Sequence, residues 1–280
     1  MAFTASTWGQ GRLLTGLSPG SSLSGFTAVI TKANLPTSAL DTGSLSCLNG
    51  GGDWRFSTDI NGSTQLDCQI VACVTNATAS STEFIAWVRF PTYASGTREV
   101  YAFWNKAGQS QPLPSAAFGS EAVWQDFEAV IHANETGTNG VFVDSTGNGH
   151  DTTRTLGTTL TANSTGHPFG GTWPEFTRTQ GLSLASSYNL VNNTAFTISC
   201  WFNADTDVQA GALVGSRYKL PSDTQWAGIQ ASGAAFSKAA TTENLASNTF
   251  IANTTQLVKI KQSTASLDKV LDGVTVAQDL

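Results

Sequence analysis

Apolar and polar residues alternate with a period of two in short runs along the chain, the spacing that buries one face of a β-strand. In the first hundred or so residues these runs are Phe26–Ile30, Trp54–Ser57, Leu66–Ile70, Glu83–Phe90 and Arg98–Trp104. The last two, joined by Pro91 to Thr97, are expected to form an antiparallel pair. Gly and Asn clusters at Asn49–Asp53 and Asp59–Ser63 separate the earlier runs, and these residues tolerate the positive φ of tight turns. Residues 1–22 are rich in turn formers and predict an N-terminal arm or a loose first strand.

Between Asn105 and Ser115 the alternation stops and Pro112 and Pro114 appear. A linker is therefore expected over 105–122, with one module at 23–104 and a second at 123–280. In the second module strands are expected at Phe127–His132, Val141–Asp144, Thr172–Leu184, Phe196–Phe202, Gly211–Arg217, Trp226–Gln230, Leu257–Lys261 and Gly273–Val276. Regularly spaced short strands of this kind predict an all-β chain of two antiparallel β-sandwich modules.

Composition agrees with that pattern. Only 12% of the 280 residues are charged against 40% hydrophobic, and Ser, Thr, Gly and Asn fill much of the rest, a mixture that favours strands and turns over long amphipathic helices. The net charge of −6, without basic runs, argues against nucleic acid as a partner. No apolar stretch reaches the length needed to insert in a membrane, and Met1 to Ser6 has neither the basic start nor the apolar core of a secretion signal. Cys47, Cys68, Cys73 and Cys200 match no zinc spacing and are expected to be buried free thiols; a Cys47–Cys68 disulfide is the alternative.

Leu23-Ser24-Gly25-Phe26, Asp53-Trp54-Arg55-Phe56-Ser57, Ala86-Trp87-Val88-Arg89-Phe90-Pro91 and Val100-Tyr101-Ala102-Phe103-Trp104-Asn105 occur in an order that resembles the domain-of-unknown-function family 2341. Downstream, Ala129 to Glu135 followed by Val143-Asp144-Ser145-Thr146-Gly147-Asn148-Gly149-His150-Asp151 looks like the opening of laminin-G-like, concanavalin-A-like lectin domains. Phe196 to Phe202 resembles their F-T-I-S-x-W strand, and Leu271-Asp272-Gly273-Val274 their D-G-V hairpin. The resemblance implies that the second module is a laminin-G-like jelly roll. That domain ordinarily continues beyond the D-G-V hairpin, so the jelly roll is expected to be incomplete at its C-terminus, leaving a sheet edge for a neighbouring subunit to cover.

By analogy, the resemblance implies a phage virion structural protein of tail, fibre or capsid surface. Such a protein is made in the host cytoplasm and located in the virion, with copies of itself, other virion proteins and host-surface polysaccharide as partners. A bacterial surface or exported carbohydrate-binding module is the second reading, and a polysaccharide-degrading enzyme the third. No strand carries the spaced acids of concanavalin-like glycosidases. Asp126 and Glu128 come nearest and read as a solvated face, so no enzyme is expected.

Two candidate sites remain. The loop Asp144–Asp151 gathers carboxylates and carbonyl oxygens, a hard-oxygen set suited to calcium, Ca2+, with Asp144, Asn148 and Asp151 as ligands and Glu135 or Asp205 to complete the shell. The simpler reading is a turn in which Asp144 accepts backbone amides. Among eight tryptophans, Trp54, Trp87, Trp104 and Trp201 lie inside strand patterns and are expected in the core. Trp173 and Trp226 lie nearer loops and are the candidates for a glycan or subunit contact. His132, His150 and His167 share no ligand spacing and are expected to form local hydrogen bonds.

Overall fold

The computed structural model describes residues 3–14, 21–78, 82–93, 99–133, 141–156, 161–164, 173–175, 181–184, 196–203, 212–217, 226–230, 235–238, 242–245, 255–262, 267–271 and 274–279. The fold is strand-rich and its sheets are antiparallel. Two compact units divide the chain, Met1–Ser187 and Tyr188–Leu280.

In the first unit six strands make two three-stranded sheets. The strands are β1 (Gln10–Leu14), β2 (Leu23–Thr31), β3 (Arg55–Ser57), β4 (Asp67–Val74), β5 (Glu83–Tyr93) and β6 (Val100–Trp104). One sheet has the order β1-β6-β3 and the other β2-β5-β4. Period-two burial is clearest in β5, where Phe84, Ala86, Val88 and Phe90 join one core with Val100, Ala102 and Trp104 of β6. Trp54 is its aromatic junction, with ring centroids 4.7 Å from Phe84, 5.1 Å from Trp104 and 6.1 Å from Phe56. Each fully buried aromatic contributes roughly 2–3 kcal/mol through area removed from water.

The expected pairing of the strands at 83–90 and 98–104 is not formed. β5 has both backbone edges occupied by β2 and β4, and β6 has its own occupied by β1 and β3, so the consecutive strands belong to different sheets. The filler of one edge comes from the turn-rich N-terminus: residues 10–14 form β1, registered from Gln10 opposite Trp104 to Leu14 opposite Val100, with Leu14 buried.

Residues 105–122, expected as a linker, pack against this unit, and the chain divides at Ser187/Tyr188 instead. The amides of Asn105 and Lys106 donate to Asp53 Oδ2 at 2.8 and 3.2 Å. The buried Arg55 guanidinium donates to the carbonyls of Trp54, Gly52 and Ser110, and Gln111 Nε2 donates to the carbonyl of Gly51. A short helix, α1 (Ser120–Val123), then brings Trp124 to 5.3 Å from Trp87. The physical reason lies in β5, whose second face carries Ile85 and Trp87 between Glu83 and Arg89: Trp124 covers Trp87, and Asp126 meets Arg89.

Beyond α1, the expected strands Phe127–His132 and Val141–Asp144 are irregular segments joined by one isolated bridge, Ile131 to Asp144. The expected strand Thr172–Leu184 is two short ones: β9 (Trp173–Glu175) pairs with β8 (Thr161–Ser164), and β10 (Gly181–Leu184) pairs with β7 (Thr152–Leu156). Pro174 has no N–H for a ladder, which suits it to so short a strand.

The second unit holds β11 (Phe196–Asn203), β12 (Ala212–Arg217), β13 (Trp226–Gln230), β14 (Ala235–Lys238), β15 (Thr242–Leu245), β16 (Thr255–Gln262), β17 (Leu267–Leu271) and β18 (Val274–Asp279). They pair as two four-stranded sheets, β11-β16-β17-β18 and β12-β13-β14-β15. Leu271 of β17 pairs with Val274 of β18. Among the described residues no helix is long and apolar enough to cross a membrane.

Candidate functional site

The loop following Val143 is organised by one carboxylate. Phe142 is buried while Val141 and Val143 are exposed, so the alternation delivers Asp144 inward. Asp144 Oδ1 accepts from the amides of Val130 (3.0 Å) and Thr146 (3.1 Å); Oδ2 accepts from Thr146 Oγ1 (2.7 Å) and the amide of His150 (3.1 Å). Gly147 and Gly149 turn the loop at φ of 81° and 75°, in the left-handed region that glycine enters without steric cost. Asn148 Nδ2 donates to the carbonyls of Glu128 and Phe127, and Asp151 Oδ1 accepts from the Asp144 amide at 2.8 Å.

This geometry bears on calcium directly. A carboxylate offers about four lone-pair sites, and chain donors take all four on Asp144. A cation would have to displace hydrogen bonds that hold the loop, so the arrangement fits a structural turn better than a calcium shell. Among the described residues no group of three His, Cys, Asp or Glu is placed to hold a metal. Glu135 and Asp205 lie outside the described residues. Burial works against the Asp144 charge, but the donated hydrogen bonds outweigh it and hold the carboxyl below its ordinary value.

A second polar centre lies beside the loop. Gln69, on β4, accepts from Trp124 Nε1 at its amide oxygen, has His132 Nε2 3.0 Å from the same oxygen, and donates to Ser145 Oγ at 2.8 Å. Because that oxygen only accepts, a neutral His132 carries its proton on Nε2. Gln69, Glu121, His132, Asp144 and Ser145 line a cleft of about 290 Å³. His150 Nε2 is 3.0 Å from Glu128 Oε1, and Asp126 Oδ2 is 2.8 Å from Arg89 Nη2. Asp126 and Glu128 are thus each matched to a different basic group. His167 lies outside the described residues.

The tryptophans divide differently from expectation. Trp54 and Trp104 are core residues, and Trp87 is half-buried against Trp124 and His132. Trp201, expected in the core, is 38% exposed. It shares a face of β11 with exposed Thr197 and Ser199, the polar set of that strand's alternation. Trp173 and Trp226 each open a strand, β9 opposite Ser164 and β13 opposite Arg217; their side chains lie outside the described residues.

Comparison with family models, with curated proteins and with solved structures finds no match to the chain.

Sequence reasoning missed Gln69 and Asp53. Asp53 is fully buried, accepts the Leu48 amide at 2.9 Å through Oδ1 and binds the amides of Asn105 and Lys106 through Oδ2. Its signal was its position, a lone acid between a Gly-Gly-Gly turn and an apolar strand. The thiol reading holds for Cys47, Cys68 and Cys73, which are buried and free. The sulfur beside Cys47, however, is that of Cys73 and not Cys68.

Proposed function

We propose that the chain is a structural protein of a phage virion, a tail, fibre or capsid-surface component that works through subunit assembly and a lectin-like face. The observation that carries this reading is the strand pairing of the second unit. Its two four-stranded sheets end in β11, β18, β12 and β15, each with one hydrogen-bonded neighbour among the described residues. Edges of this kind present unpaired N–H and C=O groups, and strand addition from a neighbouring copy satisfies them. The motif order along the chain supports a sandwich followed by a laminin-G-like jelly roll, and many weak sites on one particle would act by avidity. Matching Asp126 and Glu128 to Arg89 and His150 supports a scaffold rather than a glycosidase.

The solution mass of the purified chain tests the assembly. A multimer is expected, and Val276→Lys on β18 is expected to reduce it toward the monomer with the circular dichroism unchanged. A folded wild-type chain that stays monomeric at high concentration counts against the proposal.

A second reading, a bacterial surface or exported carbohydrate-binding module, is favoured by exposed Trp201 beside Thr197 and Ser199: an aromatic face flanked by hydroxyls suits stacking on a sugar ring. Binding on a glycan array by a monomer, lost in Trp201→Ala, would select this reading.

A further inference from the structure

We propose that Cys47 and Cys73 are an oxidisable dithiol that closes to a disulfide when a peroxide reaches it. The two sulfurs are 3.6 Å apart and the residues are 26 positions apart in the chain, so the contact is made by the fold and not by local sequence. A disulfide is about 2.05 Å long, and van der Waals contact between the sulfurs leaves only a small approach to be made. The backbone around both residues is anchored: the Cys47 amide donates to the carbonyl of Ala39 at 2.9 Å, and the Gly50 amide to the carbonyl of Cys73 at 2.9 Å.

A second observation points to the same place. Trp54 Nε1 is buried with no hydrogen-bond acceptor, in a core where nearly every such donor is paired. It is placed to donate a hydrogen bond to the Cys47–Cys73 pair once a thiolate forms there. The two thiols are also unequal. The contact between the two sulfurs lowers Cys47 against the opposing effect of burial, and the same contact, together with burial, raises Cys73. Among the described residues neither Cys68 nor Cys200 has a second sulfur beside it. Burial pushes the Cys68 thiol up to about 12, and its polar contact is Gln111 Oε1 at 3.9 Å; burial pushes Cys200 up to about 11.

The chemistry is then ordered. The Cys47 thiolate attacks hydrogen peroxide; an S–O bond forms, the O–O bond breaks, and hydroxide leaves, so Cys47 becomes a sulfenic acid. Cys73 sulfur next attacks the Cys47 sulfur, an S–S bond forms, the S–O bond breaks, and the departing hydroxide takes the thiol proton as water. Overall the dithiol loses two electrons and two protons, and the peroxide is reduced to two waters. Cys47 and Cys73 are 5% and 7% exposed, an opening that favours a two-oxygen oxidant over a bulky one. Closure would tie the loop before β3 to β4, across the two three-stranded sheets.

The test treats the full native chain with hydrogen peroxide, blocks remaining thiols with N-ethylmaleimide in denaturant, and maps the digest without reduction. A peptide linking Cys47 to Cys73 should be the dominant disulfide, with maleimide on Cys68 and Cys200. The linkage should lose its selectivity when the chain is oxidised already unfolded. Maleimide on both Cys47 and Cys73, or a dominant bond from either to Cys68, overturns the proposal. In Cys73→Ser, dimedone should label Cys47 at least tenfold more than in the wild type. Equal labelling overturns the assignment of Cys47 as the attacking sulfur, and if that variant fails to fold, the wild-type map still decides the pairing.

Discussion

Asp144 converts one side chain into a loop, because its four hydrogen bonds come from three separated residues, Val130, Thr146 and His150. Replacing it with Ala leaves buried amides without an acceptor and should cost about 3 kcal/mol, read by chemical denaturation. The pH dependence has a definite sign. The folded carboxyl titrates below its ordinary value, so the unfolded chain binds the proton more readily and stability rises with pH through that range. The Asp144 contribution is present above about pH 4, near the unfolded value, and is lost as pH falls through the lowered folded one. In melting experiments across this window Asp144→Asn should show a flatter profile than the wild type; parallel profiles would remove Asp144 from the acid response. The sequence made the turn legible through Asp144, Gly147, Gly149 and Asp151. It could not reveal that the carboxylate is saturated, because Val130 donates from fourteen residues away.

At the scale of elements the informative case is the segment after β6. Its prolines and lost periodicity resemble a spacer, yet it covers Arg55, closes Asp53 and supplies Trp124 to the outer face of β5. Period-two logic assigns one face of β5 to the core and leaves the other unexplained until something packs there. Trp124 is 4% exposed, so Trp124→Ala should destabilise the first unit by roughly 3–4 kcal/mol in urea unfolding. A chain ending at Trp104 should lose cooperative unfolding, whereas one carrying residues 1–187 should retain it; a cooperative 1–104 fragment would restore the linker. β11 teaches the converse lesson. Its alternation placed Trp201 with Thr197 and Ser199, and the exposure of all three follows from that register once hydrophobicity alone is not allowed to assign Trp201 to the core.

For the whole molecule, the division at Ser187/Tyr188 should appear in limited proteolysis as early cleavage near that position, with a fragment beginning at the N-terminus that resists further digestion. Early cleavage within 105–122 instead would contradict the packing seen there. Strand positions were set largely by the chain itself, since alternation is a local property: β2 to β6, β11 to β13, β16 and β18 lie where the pattern puts them. Partnership was not local. That β1 pairs with β6 and β2 with β5, which acid meets which base, and which thiol touches Cys47 depend on approaches between residues tens of positions apart. Those approaches are chosen by what the remaining faces and edges must bury or pair, a condition that exists only after the chain has folded.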